Sequence, residues 1–248
     1  MNHLAHIDEF RTLLAGYQPS EAAKATLAKT RLALLAGPTS SGRNTIITEL
    51  LKTGAYHCIV SDTTRQPRSN NGVPVEQNGR EYWFRKEEDV LADLRQGGYI
   101  EAAIIHNQQV SGANIREIDQ AQRSGQVAIS DIEPNGIATY HRLKPDTVIL
   151  FVVPPDFASW MQRLSGRSAM PEEEVRRRLN TACGEIRMAL TNDYYTFVLN
   201  DRLETAVATV DAIIRQGMVD APAQAHIRHV AEDLGSAAQA YLAQLLNA

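Results

Sequence analysis

The feature that most constrains the fold is a glycine-rich loop between an apolar run and a helical pattern. It reads Gly-Pro-Thr-Ser-Ser-Gly-Arg-Asn-Thr over residues 37–45, with its glycines at the spacing G-x-x-x-x-G. The apolar run at 32–36 precedes it, and the helical pattern at 45–51 follows it. In this context the backbone N–H groups and the helix N-terminus cradle phosphate. The sequence therefore predicts a nucleotide-binding α/β protein, and we call residues 37–45 the phosphate loop.

Composition narrows the class of protein. The 248 residues are 44% apolar and 22% charged, as in ordinary globular proteins. The net charge of −4 gives no basic footprint, and no apolar stretch approaches the length of a membrane span, so we expect neither a nucleic-acid nor a membrane partner. Cys58 and Cys183 lie far apart and near no metal-ligand pattern, which predicts a reduced, cytoplasmic protein.

Strand-like and helix-like segments alternate over most of the chain, which predicts a parallel sheet covered on both faces. The predicted strands are 31–36, 57–61, 126–132, 146–153 and 195–199. The predicted helices are 45–51, 136–143, 157–164, 172–190 and 203–216. Residues 62–125 break this alternation with glycine- and asparagine-rich turns, an aromatic run and one helix, so they predict an inserted α+β lobe. Two short helices precede the first strand, with Ser20 as a helix N-cap, and an alanine-rich helix ends the chain.

A pair of arginines follows the second predicted strand. Arg65 and Arg68 flank Pro67, which fixes its own φ and biases Gln66 toward an extended shape. Both guanidinium groups could then reach one anion, and such forks suit a phosphate dianion. An isolated pair of this kind is also typical of a solvated turn.

The order of the remaining motifs resembles the guanylate kinase family over residues 31–216. These motifs are S-x-T-T-R-x-P-R at 61–68, G-x-x-Y-x-F at 79–84, an aromatic-Ile-Glu run at 99–101, Asp-Ile-Glu-x-x-Gly at 131–136, paired prolines at 154–155, R-L-x-x-R at 163–167, R-R-L at 177–179 and V-x-N-D at 198–201. Each motif is weak alone, but their shared order and near-family spacing are specific to this family.

The resemblance implies a three-layer P-loop NTPase fold with a parallel core sheet, an inserted nucleoside-monophosphate-binding lobe and a short lid. It implies transfer of a phosphoryl group from ATP to GMP, with Mg²⁺ on the donor phosphates. The terminal helices would either cap the core or form a homodimer interface. The predicted parts are an N-terminal helical extension (1–30), a guanylate kinase-like domain (31–217) with its GMP-binding lobe (62–125) and lid (166–180), and a C-terminal helical tail (218–248).

The resemblance also assigns six residues to GMP. Those matching the family's phosphate ligands are Arg65, Arg68 and Tyr82, and those matching its readers of the guanine edge are Ser61, Glu101 and Glu133. A carboxylate at Glu101 can accept hydrogen bonds from guanine N1–H and the exocyclic amine, which adenine does not offer. The alternative for Glu101 is a surface carboxylate. Glu133 stands where the family usually has aspartate.

The donor side follows from the same resemblance. The implied ATP-binding residues are Gly37, Pro38, Thr39, Ser40, Ser41, Gly42, Arg43, Asn44, Thr45 and Asn200. Arg43, Arg167 and Arg178 would stabilise the transferring group, the last two from the lid and its following helix. Asn44 and Asp131 are the candidate Mg²⁺ ligands, although Asp131 could equally be a structural carboxylate.

The chain departs from the family pattern at four places. Arg43 replaces the phosphate-loop lysine, and Asn44 replaces the hydroxyl that usually ligates Mg²⁺. Residues 108–113 lack a phosphate-binding tyrosine and a guanine-contacting hydroxyl, with Ser111 as the only nearby substitute. The loop between the second arginine of the pair and Tyr82 is several residues longer than usual. Two alternatives therefore stay open: a related binding module without turnover, and a kinase for another phosphorylated acceptor.

Overall fold

The computed structural model describes residues 4–70, 73–166 and 170–246, which form eleven strands and ten helices. The strands are β1 (Leu32–Ala36), β2 (Tyr56–Cys58), β3 (Asp62–Thr63), β4 (Ser69–Asn70), β5 (Val73–Pro74), β6 (Trp83–Phe84), β7 (Tyr99–Ile105), β8 (Gln109–Asn114), β9 (Val127–Asp131), β10 (Val148–Val153) and β11 (Tyr195–Leu199). The helices are α1 (Ile7–Ala15), α2 (Glu21–Lys29), α3 (Arg43–Leu51), α4 (Glu87–Arg95), α5 (Ile115–Ser124), α6 (Pro134–Leu143), α7 (Phe157–Ser165), α8 (Glu172–Thr191), α9 (Leu203–Gln216) and α10 (Ala221–Leu246).

A five-stranded sheet with the order β11-β10-β1-β9-β2 contains all five strands predicted from the apolar runs. β1 pairs in parallel with β10, β10 with β11, and β2 with β9. Every residue of β1 and all but the first of β10 are buried, as expected for strands covered on both faces. The predicted parallel sheet is confirmed.

The predicted boundary of the second strand is wrong. Sequence patterning places this strand at 57–61, whereas β2 starts one residue earlier and ends three residues sooner. The N–H of Ile59 still donates to the carbonyl of Ile129 in β9 at 2.8 Å, and the next N–H, that of Val60, points to the other side and donates to the carboxylate of Glu117 at 3.4 Å. The chain therefore leaves the sheet before it reaches Ser61.

A four-stranded sheet with the order β6-β3-β8-β7 forms from the segment between β2 and α5. β7 and β8 form an antiparallel hairpin, whose turn holds His106 and Asn107 in the left-handed region at φ 50° and 56°. β3 is antiparallel to β8 and parallel to β6. With α4, these strands form the α+β lobe that the sequence predicts for this stretch.

The N-terminal helices pack on this lobe. Phe10 of α1 is fully buried in an apolar cluster with Leu91 of α4 and Tyr99 of β7. The hydroxyl oxygen of Ser20 accepts a hydrogen bond from the N–H of Ala23 at 3.2 Å, which confirms the predicted N-cap of α2.

The C-terminal helix α10 packs against α8 and the edge strand β11. Its buried residues include Ile227, Leu234 and Leu242. The N–H of Phe197 donates to Oε1 of Gln224 at 2.7 Å, and Nε2 of Gln224 donates to the carbonyl of Phe197 at 2.8 Å. This side chain thus satisfies backbone groups that an edge strand otherwise leaves open. The homodimer through the terminal helices stays a prediction.

Contacts between residues divide the chain into two compact units. The first unit contains the N-terminal residues up to Leu32, Gly54–Ser130 and Ala138–Thr147. The second contains Ala33–Thr53, Asp131–Ile137 and the chain from Val148 onward. In the part of the chain that the structure describes, no helix has both the length and the apolar character needed to cross a membrane. The predicted domain boundaries stay a prediction.

Candidate active site

The phosphate loop in the second unit has the strand–loop–helix geometry expected from its sequence. It follows β1, and α3 begins at Arg43, directly after its last glycine. Gly37 and Gly42 have φ of 139° and 101°, where residues with a Cβ are strained. A Cβ on Gly37 would collide with the carbonyl oxygen of Val152, and one on Gly42 with the amide of Asn200. Both glycines are therefore required by the path of the backbone.

Two serine hydroxyls in this loop point to a polar ligand. The Oγ atoms of Ser40 and Ser41 are buried, and neither has a hydrogen-bond partner among the described residues. Ser40 also has a φ of 67°, which is uncommon for a residue other than glycine. Buried polar atoms in native proteins are nearly always hydrogen-bonded, so these hydroxyls fit a loop that closes around a bound anion.

Asn200 connects the last strand of the sheet to the phosphate loop. Its Nδ2 donates to the carbonyl of Ser41 at 2.7 Å, and it is buried. The guanidinium of Arg163 donates to the backbone carbonyl of Asn200 at 2.9 Å. Arg163 and Asn200 line a pocket of about 320 Å³ together with Ser40, Gly42 and Thr45. The pocket adjoins the phosphate loop, and the role of Asn200 in ATP binding stays a prediction.

Asn44 lies beside the candidate metal ligand Asp131. With the Asn44 amide oriented by its hydrogen-bond network, its nitrogen donates to Oδ2 of Asp131 at 2.9 Å and lies 3.3 Å from Oδ1. The two predicted metal residues are thus brought together by the structure. In this geometry the amide nitrogen of Asn44 faces and orients the carboxylate of Asp131.

Arg43 belongs to a half-buried charged group that sequence reasoning missed. Burial raises the pKa of the Glu185 carboxyl group on α8 to about 7, while the positive charge of Arg43 opposes this rise and the negative charge of Glu133 adds to it. Glu133 therefore lies near Glu185 in the second unit, whereas Ser61 and Glu101 belong to the first unit. The only signal for Glu185 in the sequence was its position two turns after Arg178 on the same predicted helix.

The lid arginines are described only in part. Arg167 lies outside the described residues. Arg178 is half-buried on α8, and its Nε donates to Oε1 of Glu174 at 2.6 Å. Hydrogen bonds from Arg177 and then Arg178 lower the pKa of Glu174 to about 2, so this carboxylate is ionised at neutral pH. A phosphate that recruits Arg178 has to compete with this carboxylate.

In the first unit, three side chains contact the guanidinium of Arg65. Its Nη1 and Nη2 donate to Oε2 and Oε1 of Glu76 at 2.6 and 2.7 Å. The guanidinium carbon lies 4.9 Å from the ring centroid of Tyr82 and 5.5 Å from that of Phe84. The structure thus brings together two of the residues predicted to bind GMP phosphate. Glu76 was missed, and its signal was a single carboxylate in an otherwise uncharged turn segment.

The longer loop after Arg68 forms an added hairpin. β4 and β5 pair in an antiparallel manner, and the N–H of Val75 donates to the carbonyl of Arg68 at 3.0 Å to close the base of the hairpin. The N–H of Arg68 donates to Oε2 of Glu76 at 2.7 Å. The extra residues therefore leave Arg65 and Arg68 linked at the hairpin base, with the Arg68 side chain exposed.

The predicted guanine readers of the first unit lie on the four-stranded sheet and at its edge. Oε1 of Glu101 accepts a hydrogen bond from the N–H of Ala113 at 3.1 Å. Ser111, the substitute hydroxyl, donates to Oγ1 of Thr63 at 3.0 Å. The backbone carbonyl of Ser61 accepts from the N–H of Trp83 at 2.9 Å, which aligns it with β6.

A buried carboxylate, Asp62, anchors the central strand of this sheet and was also missed. It is 1% exposed and accepts hydrogen bonds from Arg85 at 3.2 Å, from Arg116, and from the hydroxyl of Tyr99 at 2.6 Å. Burial, followed by the charge of Asp62, raises the pKa of Tyr99 well above its usual value. Asp62 occupies the variable position of the S-x-T-T-R motif, so the motif itself gave no signal for it.

Comparisons with known proteins agree with this geometry. The guanylate kinase family model matches residues 29–217. The guanylate kinase of Rubrobacter xylanophilus is 33% identical over 189 residues, which are 75% of this chain and 94% of that protein. The guanylate kinase of Corynebacterium diphtheriae is 31% identical over 186 residues, covering 74% and 94%.

The fold has a counterpart among solved structures. The crystal structure of guanylate kinase from Anaplasma phagocytophilum matches with a TM-score of 0.54 and 22% identity, over 82% of this chain and 93% of that one. This match establishes the shared P-loop fold, and the family model spans the phosphate loop, the Arg65 segment and α8. The chain therefore belongs to the guanylate kinase family.

Proposed function

We propose that this chain transfers the γ-phosphoryl group of ATP to GMP, giving ADP and GDP. The observation that carries this proposal is the family match, which runs without interruption from the phosphate loop through the Arg65 segment to α9. The relatives are named for this enzyme, so the alternatives of a non-catalytic binding module and of another phosphorylated acceptor are not favoured.

In this proposal, the first unit binds the acceptor. Arg65 and Arg68 neutralise the phosphate of GMP, and the Tyr82 hydroxyl adds a hydrogen bond to it. The contacts of Arg65 with Glu76 and two aromatic rings support this role, because they hold its guanidinium in one position. A guanidinium has five N–H donors, of which Glu76 takes two and the carbonyl of Gln66 one, and the proposal uses the remaining donors of Arg65 for the phosphate.

In this proposal Ser61 and Glu101 of the first unit read the guanine edge, and the same role is assigned to Glu133, which belongs to the second unit, by the family resemblance alone. The carboxylate of Glu101 already accepts one backbone N–H through Oε1, which fixes its orientation. Its remaining acceptor capacity can take the N1–H and the exocyclic amine of guanine. Adenine lacks these two donors in this arrangement, so its binding would leave the carboxylate unsatisfied.

The second unit binds ATP. Backbone N–H groups of the phosphate loop and the N-terminus of α3 hold the donor phosphates, and the pocket beside Asn200 takes the base. Arg43, Arg178 and Arg167 are proposed to stabilise charge on the transferring group. No general base is needed, because the acceptor oxygen of GMP is already anionic, and positioning and charge neutralisation account for catalysis.

Mg²⁺ is part of the proposal, and the residues present fit it. The structure describes no cluster of three or more His, Cys, Asp or Glu side chains placed for a metal, but Mg²⁺ in kinases is bound through one or two carboxylates and the substrate phosphates. Asp131 is the carboxylate that would hold it, with Asn44 as its neighbour. Bound there, the ion would neutralise charge on the donor phosphates.

A cytoplasmic location is also proposed. Both cysteines are free thiols in the structure, as expected in a reducing compartment.

The test is ADP release measured with GMP, dGMP, AMP, CMP and UMP as acceptors, each with and without Mg²⁺. We expect turnover that depends on GMP and on Mg²⁺ and is weakest with the pyrimidine nucleotides. GMP binding without turnover for any acceptor would indicate a binding module instead. Turnover that prefers another nucleotide would overturn the assignment of GMP.

A further inference from the structure

Glu117 is a buried carboxylate that contacts two separate segments of the first unit. It lies in the first turn of α5, and its side chain is 9% exposed. Oε1 accepts a hydrogen bond from the indole N–H of Trp83 at 2.9 Å. Oε2 accepts from the N–H of Val60 at 3.4 Å and lies 3.2 Å from Nε2 of His57. Burial favours a raised pKa for Glu117, but these hydrogen bonds outweigh it and hold its pKa below the usual value.

Trp83 connects this carboxylate to the two aromatic rings that contact Arg65. It lies between Tyr82 and Phe84, the two rings that face the guanidinium of Arg65. Its own ring packs against Gly79, where a Cβ would collide with the indole. Side chains alternate along the strand, so an indole held by Glu117 on one face leaves Tyr82 and Phe84 together on the opposite face, where Arg65 contacts both rings.

Val60 connects the same carboxylate to Ser61. The N–H of Ile59 still bonds β9, and the N–H of the next residue, Val60, points to the other side and donates to Glu117, one residue before Ser61. The carbonyl of Ser61 then accepts from the N–H of Trp83, which closes a loop of contacts back to Glu117. One carboxylate thus contacts both the segment that follows β2 and the strand β6.

We propose that Glu117, acting through Trp83 and Val60, is a positioning residue for the GMP pocket. This rests on the proposed function of the pocket, since Glu117 contacts Trp83, Val60 and His57 rather than any residue assigned to GMP. Its role is to hold Ser61 on one side and the Tyr82 and Phe84 platform on the other. Loss of the contact therefore weakens acceptor binding and leaves ATP binding intact.

The chain offers a matched pair of variants, because it has only two tryptophans. Trp83→Phe removes the indole donor to Glu117 and keeps an aromatic ring against Gly79. Trp160→Phe removes the other indole donor, which bonds the carbonyl of Thr39 in the phosphate loop at 2.8 Å. We expect Trp83→Phe to raise the KM and Kd for GMP about tenfold with the KM for ATP nearly unchanged, and Trp160→Phe to show the reverse pattern.

Glu117→Gln and Glu117→Ala complete the series, with the Kd for GMP measured by calorimetry on the full chain. Glutamine keeps an oxygen that can accept the indole N–H. The Kd for GMP of Glu117→Gln should therefore lie between those of wild type and Glu117→Ala. The proposal is overturned if Trp83→Phe and Glu117→Ala leave the Kd for GMP unchanged, or if they weaken GMP and ATP equally. Wild type that binds GMP without phosphorylating it overturns the proposed function alone, because the calorimetric comparison still decides the role of Glu117.

Discussion

Glu76 holds the guanidinium of Arg65 with both of its carboxylate oxygens, at 2.6 and 2.7 Å. The two side chains are only 10% and 13% exposed. The same carboxylate accepts the backbone N–H of Arg68 at 2.7 Å, so it links both arginines of the proposed phosphate site. The desolvation of a buried ion pair largely offsets its attraction, so the pair adds little net stability. Removal of one partner nevertheless destabilises the protein, because the other charge stays buried without a partner.

Glu76→Ala should therefore lower the free energy of unfolding by about 2 kcal/mol, between the values for exposed and for fully buried pairs. It should also raise the KM for GMP, since Arg65 and Arg68 lose their common anchor. Urea unfolding and steady-state kinetics measure the two effects. Glu81→Ala is the matched control, because Glu81 pairs with Arg80 in the same segment, where Arg80 is 57% exposed. Equal effects of the two variants would contradict the anchoring role of Glu76.

Glu185 should give the stability of the protein a dependence on pH. Its folded-state pKa is raised from 4.5 to about 7, mainly by burial. The folded state therefore binds more protons than the unfolded state between these values, and stability should fall as pH rises from about 4.5 to about 7 and change little above that. In Glu185→Gln this contribution to the slope should vanish. Unfolding free energies across this range check it, and a Glu185→Gln profile parallel to that of the exposed-residue control Glu173→Gln would contradict it.

Asn44 should matter through its hydrogen bond to Asp131. Asn44→Ala removes the amide that orients this carboxylate, and loss of such a supporting contact typically weakens metal affinity about tenfold or more. We expect the Mg²⁺ concentration for half-maximal turnover to rise by about this factor. Titration of activity with Mg²⁺ measures it. Lys52→Ala, at the end of the same helix, is the control and should not change the Mg²⁺ requirement. An unchanged Mg²⁺ requirement in Asn44→Ala would contradict a role for Asn44 in metal binding.

Gln224 should stabilise the edge of the five-stranded sheet. Gln224→Ala leaves the N–H and carbonyl of Phe197 without their side-chain partner, which should cost about 1–3 kcal/mol of unfolding free energy. Gln244→Ala, at an exposed position of the same helix, is the control and should change it by less than about 0.5 kcal/mol. Thermal and urea unfolding compare them. A loss no larger than that of the control would show that water replaces the Gln224 contacts.

The elements that the sequence predicts best are those defined by apolar period alone. β1, β10 and β11 are buried apolar runs, and their helices carry regular patterns, so local sequence sufficed. The end of β2 was misplaced because the apolar run continues through Val60, whose N–H bonds the side chain of Glu117, far along the chain, rather than another strand. No local pattern encodes a hydrogen bond of that kind.

The residues of the candidate site divide in the same way, into those that stand in local motifs and those that only the fold brings together. The glycines of the phosphate loop and Arg65 stand in recognisable motifs, and the structure gives each a distinct environment. Glu76 was not predicted, because only the fold of the β4–β5 hairpin brings its carboxylate back to Arg65. The family resemblance predicted Asn44 and Asp131 as ligands of one metal ion, but the direct hydrogen bond between their side chains was not predicted, since the two residues lie on elements that are remote in sequence.

The most direct test is whether Arg65 binds the acceptor GMP in a guanylate kinase reaction. Chromatography measures the formation of GDP from ATP and GMP in wild type, Arg65→Lys and Arg65→Ala. Wild type should produce GDP and ADP in equal amounts. Arg65→Ala should raise the KM for GMP at least about tenfold with the KM for ATP little changed, and Arg65→Lys should fall between them because it keeps the charge without the fork. Absence of GDP with wild type, or an unchanged KM for GMP in Arg65→Ala, would contradict the account.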